Sequence, residues 1–83
     1  MSRQQKLIER LKTKPRDFTF DEMRSLFISL GFTESNKGKT SGSRVLFQFG
    51  DLSIDLHKPH PQKELPMYQI NKILKTLEGE GLI

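Results

Sequence analysis

Two runs of alternating apolar and polar residues, separated only by Gly50 and Asp51, constrain the fold of this 83-residue chain most strongly. Residues 44–49 read Arg-Val-Leu-Phe-Gln-Phe, and residues 52–57 read Leu-Ser-Ile-Asp-Leu-His. Alternation with a period of two is typical of strands that bury one face, and a two-residue loop beginning with glycine favours a tight turn. The sequence therefore predicts an antiparallel hairpin over residues 44–57.

The short loop also predicts which residues face each other across the hairpin. Without a bulge, Arg44 lies opposite His57 and Leu46 lies opposite Asp55. One face of the hairpin is then apolar and packs on helices, and the other is mostly polar. The inner residues are Val45, Phe47, Phe49, Leu52, Ile54 and Leu56, and the outer residues are Arg44, Leu46, Gln48, Ser53, Asp55 and His57.

Two helices are predicted before the hairpin. The first covers residues 3–13 and ends near Pro15, because the residue before proline is pushed out of the helical region. The second begins at a capping box formed by Thr19 and Glu22, and it ends at Gly31, which suits a left-handed cap. Its apolar stripe has helical spacing and is predicted to be core: Met23, Leu26, Phe27 and Leu30.

A short strand at residues 32–36, a loop at residues 37–43 and a third helix beginning near Pro66 complete the predicted order, α-α-β-β-β-α. The fold class is therefore α+β. We expect a single domain over residues 1–83, with an extra N-terminal helix at residues 1–14 and a core at residues 18–83.

Composition limits the function classes. The chain has no cysteine, which excludes disulfides and thiolate chemistry, and no apolar run is long enough to cross a bilayer. A cytoplasmic protein without a membrane association is predicted. The net charge of +4 favours nucleic acid or an acidic protein as the partner.

The chemistry-bearing residues concentrate around the hairpin. Histidine side chains exchange protons near neutral pH, and a guanidinium stabilises charge on phosphoryl oxygens, so His57 and Arg44 are the candidate catalytic pair for RNA cleavage. The candidate RNA-contacting residues are Lys39, Ser43, Lys58 and His60. Because His57 and His60 have no convincing third ligand, no metal and no cofactor are predicted.

The same residues have a structural interpretation. A histidine and an arginine on an exposed sheet face are more often a solvated polar pair than a catalytic one. His60 stands between two prolines and is by default a loop residue. The Lys/Gly/Ser loop at residues 37–43 lacks the strand-to-helix context of a P-loop.

Several short motifs in this order resemble the HicA toxins of bacterial and archaeal toxin–antitoxin systems. They are Leu30-Gly31-Phe32, Gly42-Ser43, His60-Pro61 and Glu64-Leu65, within a match from about residue 18 to residue 83. The resemblance implies a double-stranded-RNA-binding-domain-like fold, with a three-stranded antiparallel sheet and helices on one face. It also implies metal-independent cleavage of mRNA and neutralisation by a HicB-like antitoxin protein that covers the site.

One position departs from the family pattern. The resemblance implies a catalytic histidine directly after the Gly-Ser pair, where this chain has Arg44. Because the predicted register places His57 opposite Arg44, our hypothesis is that the imidazole has moved to the adjacent strand while the site has kept its place. Two alternatives stay open: a noncatalytic RNA-binding module of the same fold, and a winged-helix DNA-binding protein.

Overall fold

The computed structural model describes residues 3–35, 44–57 and 63–83, without the side chain of Arg44. Its elements are α1 (Arg3–Lys12), α2 (Phe20–Leu30), β1 (Thr33–Ser35), β2 (Arg44–Phe49), β3 (Leu52–His57) and α3 (Met67–Gly79). The predicted order α-α-β-β-β-α and the α+β fold class are confirmed. No helix in the described ranges is long and apolar enough to cross a membrane.

The three strands form an antiparallel sheet in the order β1-β2-β3. The hairpin has the predicted register, and Gly50 adopts the positive φ of +60° that suits the first loop position of a type II′ turn. The Cα partners are Arg44 with His57, Val45 with Leu56, Leu46 with Asp55, Phe47 with Ile54, Gln48 with Ser53 and Phe49 with Leu52.

The first strand is shorter than the predicted range 32–36, of which Asn36 lies outside the described residues. Phe32 belongs to the end of α2, because its N–H donates to the carbonyl of Phe27 at 3.0 Å. The N–H of Gly31 donates to Ile28 at 3.1 Å, so the two bonds form a Schellman motif. Gly31 has a φ of +104°, and an added β-carbon would lie 3.1 Å from the Phe49 ring, so both conformation and space favour glycine there.

The N-terminus of α2 has the predicted capping box. The Thr19 hydroxyl accepts from the Glu22 N–H at 3.1 Å, and Glu22 Oε1 accepts from the Thr19 N–H at 2.9 Å. Beside this cap, the Leu65 N–H donates to the Phe18 carbonyl at 2.8 Å. The segment that precedes α3 is thereby held against the segment that precedes α2.

The ends of the other two helices differ slightly from the predictions. Helix α1 ends at Lys12, one residue before the predicted end, and Lys14 takes a left-handed φ of +54° just before Pro15. Pro66 is not the first helical residue but the N-cap of α3, because its ψ of 151° is extended. Helix α3 ends at Gly79.

All three helices contribute to one hydrophobic core against the inner face of the sheet. The Phe27 ring lies 5.0 Å from the Phe32 ring and 4.8 Å from the Phe47 ring, centroid to centroid. Leu11 of α1 is fully buried, so the N-terminal helix is part of this core. Phe49, predicted to be internal, is 39% exposed and lies next to the turn of the hairpin, where it is paired with Leu52.

Candidate nucleic-acid interface

The outer face of the sheet carries the predicted catalytic pair at one end. Arg44 and His57 are Cα partners, and the N–H of His57 points away from β2 towards α3. They therefore form a non-hydrogen-bonded pair, in which Cα atoms are about 4.5 Å apart. The His57 side chain is exposed, as is that of Asp55 two residues earlier.

The backbone N–H of His57 is contacted by the side chain of Gln69. This glutamine is buried on α3, with 8% exposure, and its Oε1 accepts from the His57 N–H at 3.4 Å, at the long end for a hydrogen bond. This residue was not predicted from the sequence. The available signal was its spacing, because Gln69 stands one helical turn before Ile73 and two before Leu77, on the face that α3 buries.

A cleft of about 300 Å³ lies between β3 and α3 and includes His57 in its wall. Strand β3 contributes residues at a spacing of two, and helix α3 contributes residues at a spacing of four. Among the lining residues, those at these spacings are Ser53, Asp55, His57, Tyr68, Lys72 and Thr76. Tyr68 is 62% exposed, which is high for an aromatic residue.

The charged groups of this cleft lack protein partners within the described ranges. No ion pair or hydrogen bond there involves the side chains of Asp55, His57 or Lys72. Tyr68 and Lys72 were not predicted from the sequence as site residues. Their spacing of i and i+4, beside the buried stripe of α3, was the available signal.

The four predicted RNA-contacting residues fall outside the described ranges: Lys39, Ser43, Lys58 and His60. Their contacts stay predictions. Among the residues that the structure does describe, no group of three histidine, aspartate or glutamate side chains is arranged to hold a metal ion.

Comparison with known proteins identifies the family. The family model of the HicA toxin of bacterial toxin–antitoxin systems matches residues 20–78, from the first residue of α2 almost to the end of α3. The curated proteins and the solved structures gave no significant match. Because the family match covers most of the chain and includes the sheet, the cleft and both helices that flank them, the chain belongs to the HicA toxin family.

Proposed function

We propose that this chain is the toxin of a HicA/HicB-type system and a metal-independent mRNA endoribonuclease. Membership of the HicA family supports the toxin role. The observation that most supports the chemistry is the pairing of Arg44 with His57 across the outer sheet face. A proton-transferring imidazole and a permanently charged guanidinium at one register position suit attack on a phosphodiester.

In the proposed reaction, His57 takes the proton of a ribose 2′-hydroxyl, whose oxygen then attacks the adjacent phosphorus. The bond from phosphorus to the 5′-oxygen breaks, and the departing oxygen takes up a proton from water, while His57 returns its proton to the solvent. The products are a 2′,3′-cyclic phosphate and a 5′-hydroxyl. The proposed reaction uses no metal and no cofactor. Arg44 stabilises the negative charge that grows on the phosphoryl oxygens.

The RNA backbone on either side of this phosphate is proposed to contact the residues beside the hairpin ends. Lys39 and Lys58 supply positive charge to neighbouring phosphates, while Ser43 and His60 supply hydrogen-bonding groups. The net charge of +4 favours such an association.

The proposed partner is a HicB-like antitoxin protein in the cytoplasm, which inhibits by covering the outer sheet face. Among the described residues of that face, Gln48, Ser53, Asp55 and His57 are exposed polar residues, and the apolar Leu46 is half-buried. We therefore expect the antitoxin to bind this face mainly through polar and acidic groups. Competition between the antitoxin and RNA for binding to the protein tests whether the antitoxin covers this face.

The test of the activity is incubation of purified protein with a defined mRNA in EDTA, read on a denaturing gel. We expect cleavage by the wild type and a loss of about 100-fold or more in His57→Ala, because general acid–base groups contribute at least that much. Gln48→Ala, an exposed change on the same face, is the control and should cleave normally. Full activity in His57→Ala would refute its role, and His60→Ala and Arg44→Ala rank the remaining groups.

A noncatalytic RNA-binding module is the second candidate, and the observation that favours it is Arg44 at the position where the resemblance implies a histidine. It predicts RNA that stays intact in the presence of bound protein, with an affinity that falls steeply with salt. A winged-helix DNA-binding protein is disfavoured by the family match and by α3, which follows the hairpin and contributes to the core.

A further inference from the structure

Two rows of side chains of similar length line the cleft, one from strand β3 and one from helix α3. Ser53, Asp55 and His57 span about 13 Å along the strand, at 3.3 Å per residue. Residues 68–76 span about 12 Å along the helix, at 1.5 Å per residue. The hydrogen bond from His57 to Gln69 joins the end of one row to the beginning of the other, so the rows run in opposite directions.

This geometry places an aromatic side chain at one end of the cleft and charged side chains in its middle. Tyr68 lies at the His57 end, next to Gln69, and presents a largely exposed aromatic ring. Lys72 follows one helical turn later and Asp55 is the middle residue of the strand row, so both line the middle of the cleft. An aromatic face, a cation and an acidic acceptor thus line one small space beside the proposed catalytic histidine.

We propose that this cleft binds a single nucleotide of a single-stranded RNA substrate, next to the phosphate that is cleaved, and that it prefers guanine. The inference rests on the proposed function and adds a site and a base preference to it. Tyr68 stacks on the base, Lys72 contacts a phosphate, and Asp55 accepts hydrogen bonds from the base edge.

Single-stranded RNA fits the cleft better than a duplex does. A volume of about 300 Å³ is at the lower end of the range for small-molecule sites, and it suits one unstacked nucleotide. Aromatic side chains stack on bases that are splayed out of single strands, whereas duplex RNA is recognised mainly along its backbone and minor groove. The exposed ring of Tyr68 has no role in a purely backbone-directed contact.

The preference for guanine follows from the acceptor-only character of an ionised carboxylate. Guanine has two adjacent donors, N1–H and the N2 amino group, which match the two carboxylate oxygens of Asp55. Cytosine and adenine each offer one amino group on that edge, while uracil places its single N–H between two carbonyl oxygens that repel a carboxylate. The expected order is therefore guanine first and uracil last.

The experiment uses the full chain with the His57→Ala change, so that RNA stays intact during the measurement. Tyr68 is the only tyrosine in the sequence, so the ring protons of labelled tyrosine in NMR spectra report on this one residue. Uridine pentanucleotides with a central guanosine, adenosine or cytidine are titrated beside pentauridine. We expect ring-current shifts of the Tyr68 signals and an affinity about tenfold higher for the guanosine oligonucleotide than for pentauridine.

Three variants separate the proposed contacts. Tyr68→Leu should lower the affinity for every oligonucleotide about tenfold, because base stacking is lost. Asp55→Asn should abolish the preference for guanosine, while Asp51→Asn at the hairpin turn is the matched control that keeps it. Lys72→Gln should weaken binding for all bases alike and reduce the salt dependence, while Lys75→Gln, exposed on the same helix outside the cleft, should change little.

Equal affinities for all the oligonucleotides, or shifts that leave the Tyr68 ring unchanged, would overturn the inference. If the wild-type protein nevertheless cleaves mRNA in EDTA, the proposed function stands and only the proposed nucleotide site is refuted. If the protein neither binds nor cleaves RNA, both proposals fail together. Tyr68 shifts caused only by an antitoxin protein would make the cleft a protein-binding surface and would also refute the nucleotide site.

Discussion

The α1–α2 half of the molecule contains two arginines that form ion pairs, whereas the charged side chains that line the β3–α3 cleft form none within the described residues. In the first half, Arg10 Nη2 lies 2.9 Å from Asp17 Oδ1, and Arg24 Nε lies 2.6 Å from Glu34 Oε1. The guanidinium of Arg10 also lies 5.4 Å from the centre of the Phe18 ring. In the cleft, the described structure gives no such partner to Asp55, His57 or Lys72.

The difference separates structural charges from charges that are available to a ligand. Arg10 joins three parts of the chain, because it also donates to the Asp17 carbonyl at 3.1 Å and lies 3.6 Å from Glu22, the second residue of the capping box. These contacts engage Nη2 and Nε of Arg10, while its Nη1 is buried without a hydrogen-bond partner among the described residues. Exposed charged groups without protein partners contribute little to stability and are solvated, so a ligand can reach them.

The largest effect on stability is expected from Leu11→Ala in α1. This side chain is fully buried, and its truncation should reduce the free energy of unfolding by about 3 kcal/mol, because it leaves a cavity in the core. Urea denaturation followed by circular dichroism measures the change. Lys12→Ala, exposed on the same helix, is the control, and a loss below about 1 kcal/mol for Leu11→Ala would mean that α1 does not stabilise the core.

A smaller effect is expected at the capping box. Thr19→Ala removes the acceptor of the Glu22 N–H and should cost about 1 kcal/mol in the same denaturation experiment. Thr19→Ser keeps the hydroxyl and should recover most of the loss. Equal losses in the two variants would show that the methyl group, rather than the hydrogen bond, is responsible.

The ion pair between Arg24 and Glu34 should contribute less again. Because the side chains are 50% and 23% exposed, a double-mutant cycle with alanine at both positions should give a coupling of about 0.5 kcal/mol. The coupling should shrink when the salt concentration is raised. A coupling that is large and independent of salt would indicate that water is excluded from the pair.

The smallest changes in stability are expected in the cleft. Asp55→Ala and Lys72→Ala should each leave the free energy of unfolding within about 0.5 kcal/mol of the wild type, since neither side chain has a partner in the described structure. The same variants are expected to alter RNA binding. A destabilisation above about 1 kcal/mol would remove the distinction between the two halves of the molecule.

The family match includes the cleft but not the N-terminal helix α1. The family model begins at residue 20, so α1 lies outside the matched region although its Leu11 is fully buried in the common core. The cleft lies wholly inside that region. The N-terminal helix therefore contributes to the core although the family match does not cover it, whereas the cleft is built from elements that the match includes.

Local sequence patterns were sufficient to predict the features that depend on neighbouring residues. The period-two pattern and the glycine loop were sufficient to predict the hairpin and the pairing of Arg44 with His57. The capping box at Thr19 and the left-handed cap at Gly31 were likewise predicted, because each depends on hydrogen bonds within a few residues.

The contacts between distant elements depend on tertiary packing and were not predicted. This packing turned Phe32 from a strand residue into part of the α2 cap and core, brought Gln69 to the end of β3, and placed Tyr68 in the wall of the cleft. No local pattern encodes these contacts, because they depend on how α3 packs against the sheet edge. Hydrophobic burial drives that packing. The sequence pattern shows which face of a helix is buried, but it does not show which strand residue each helical side chain contacts.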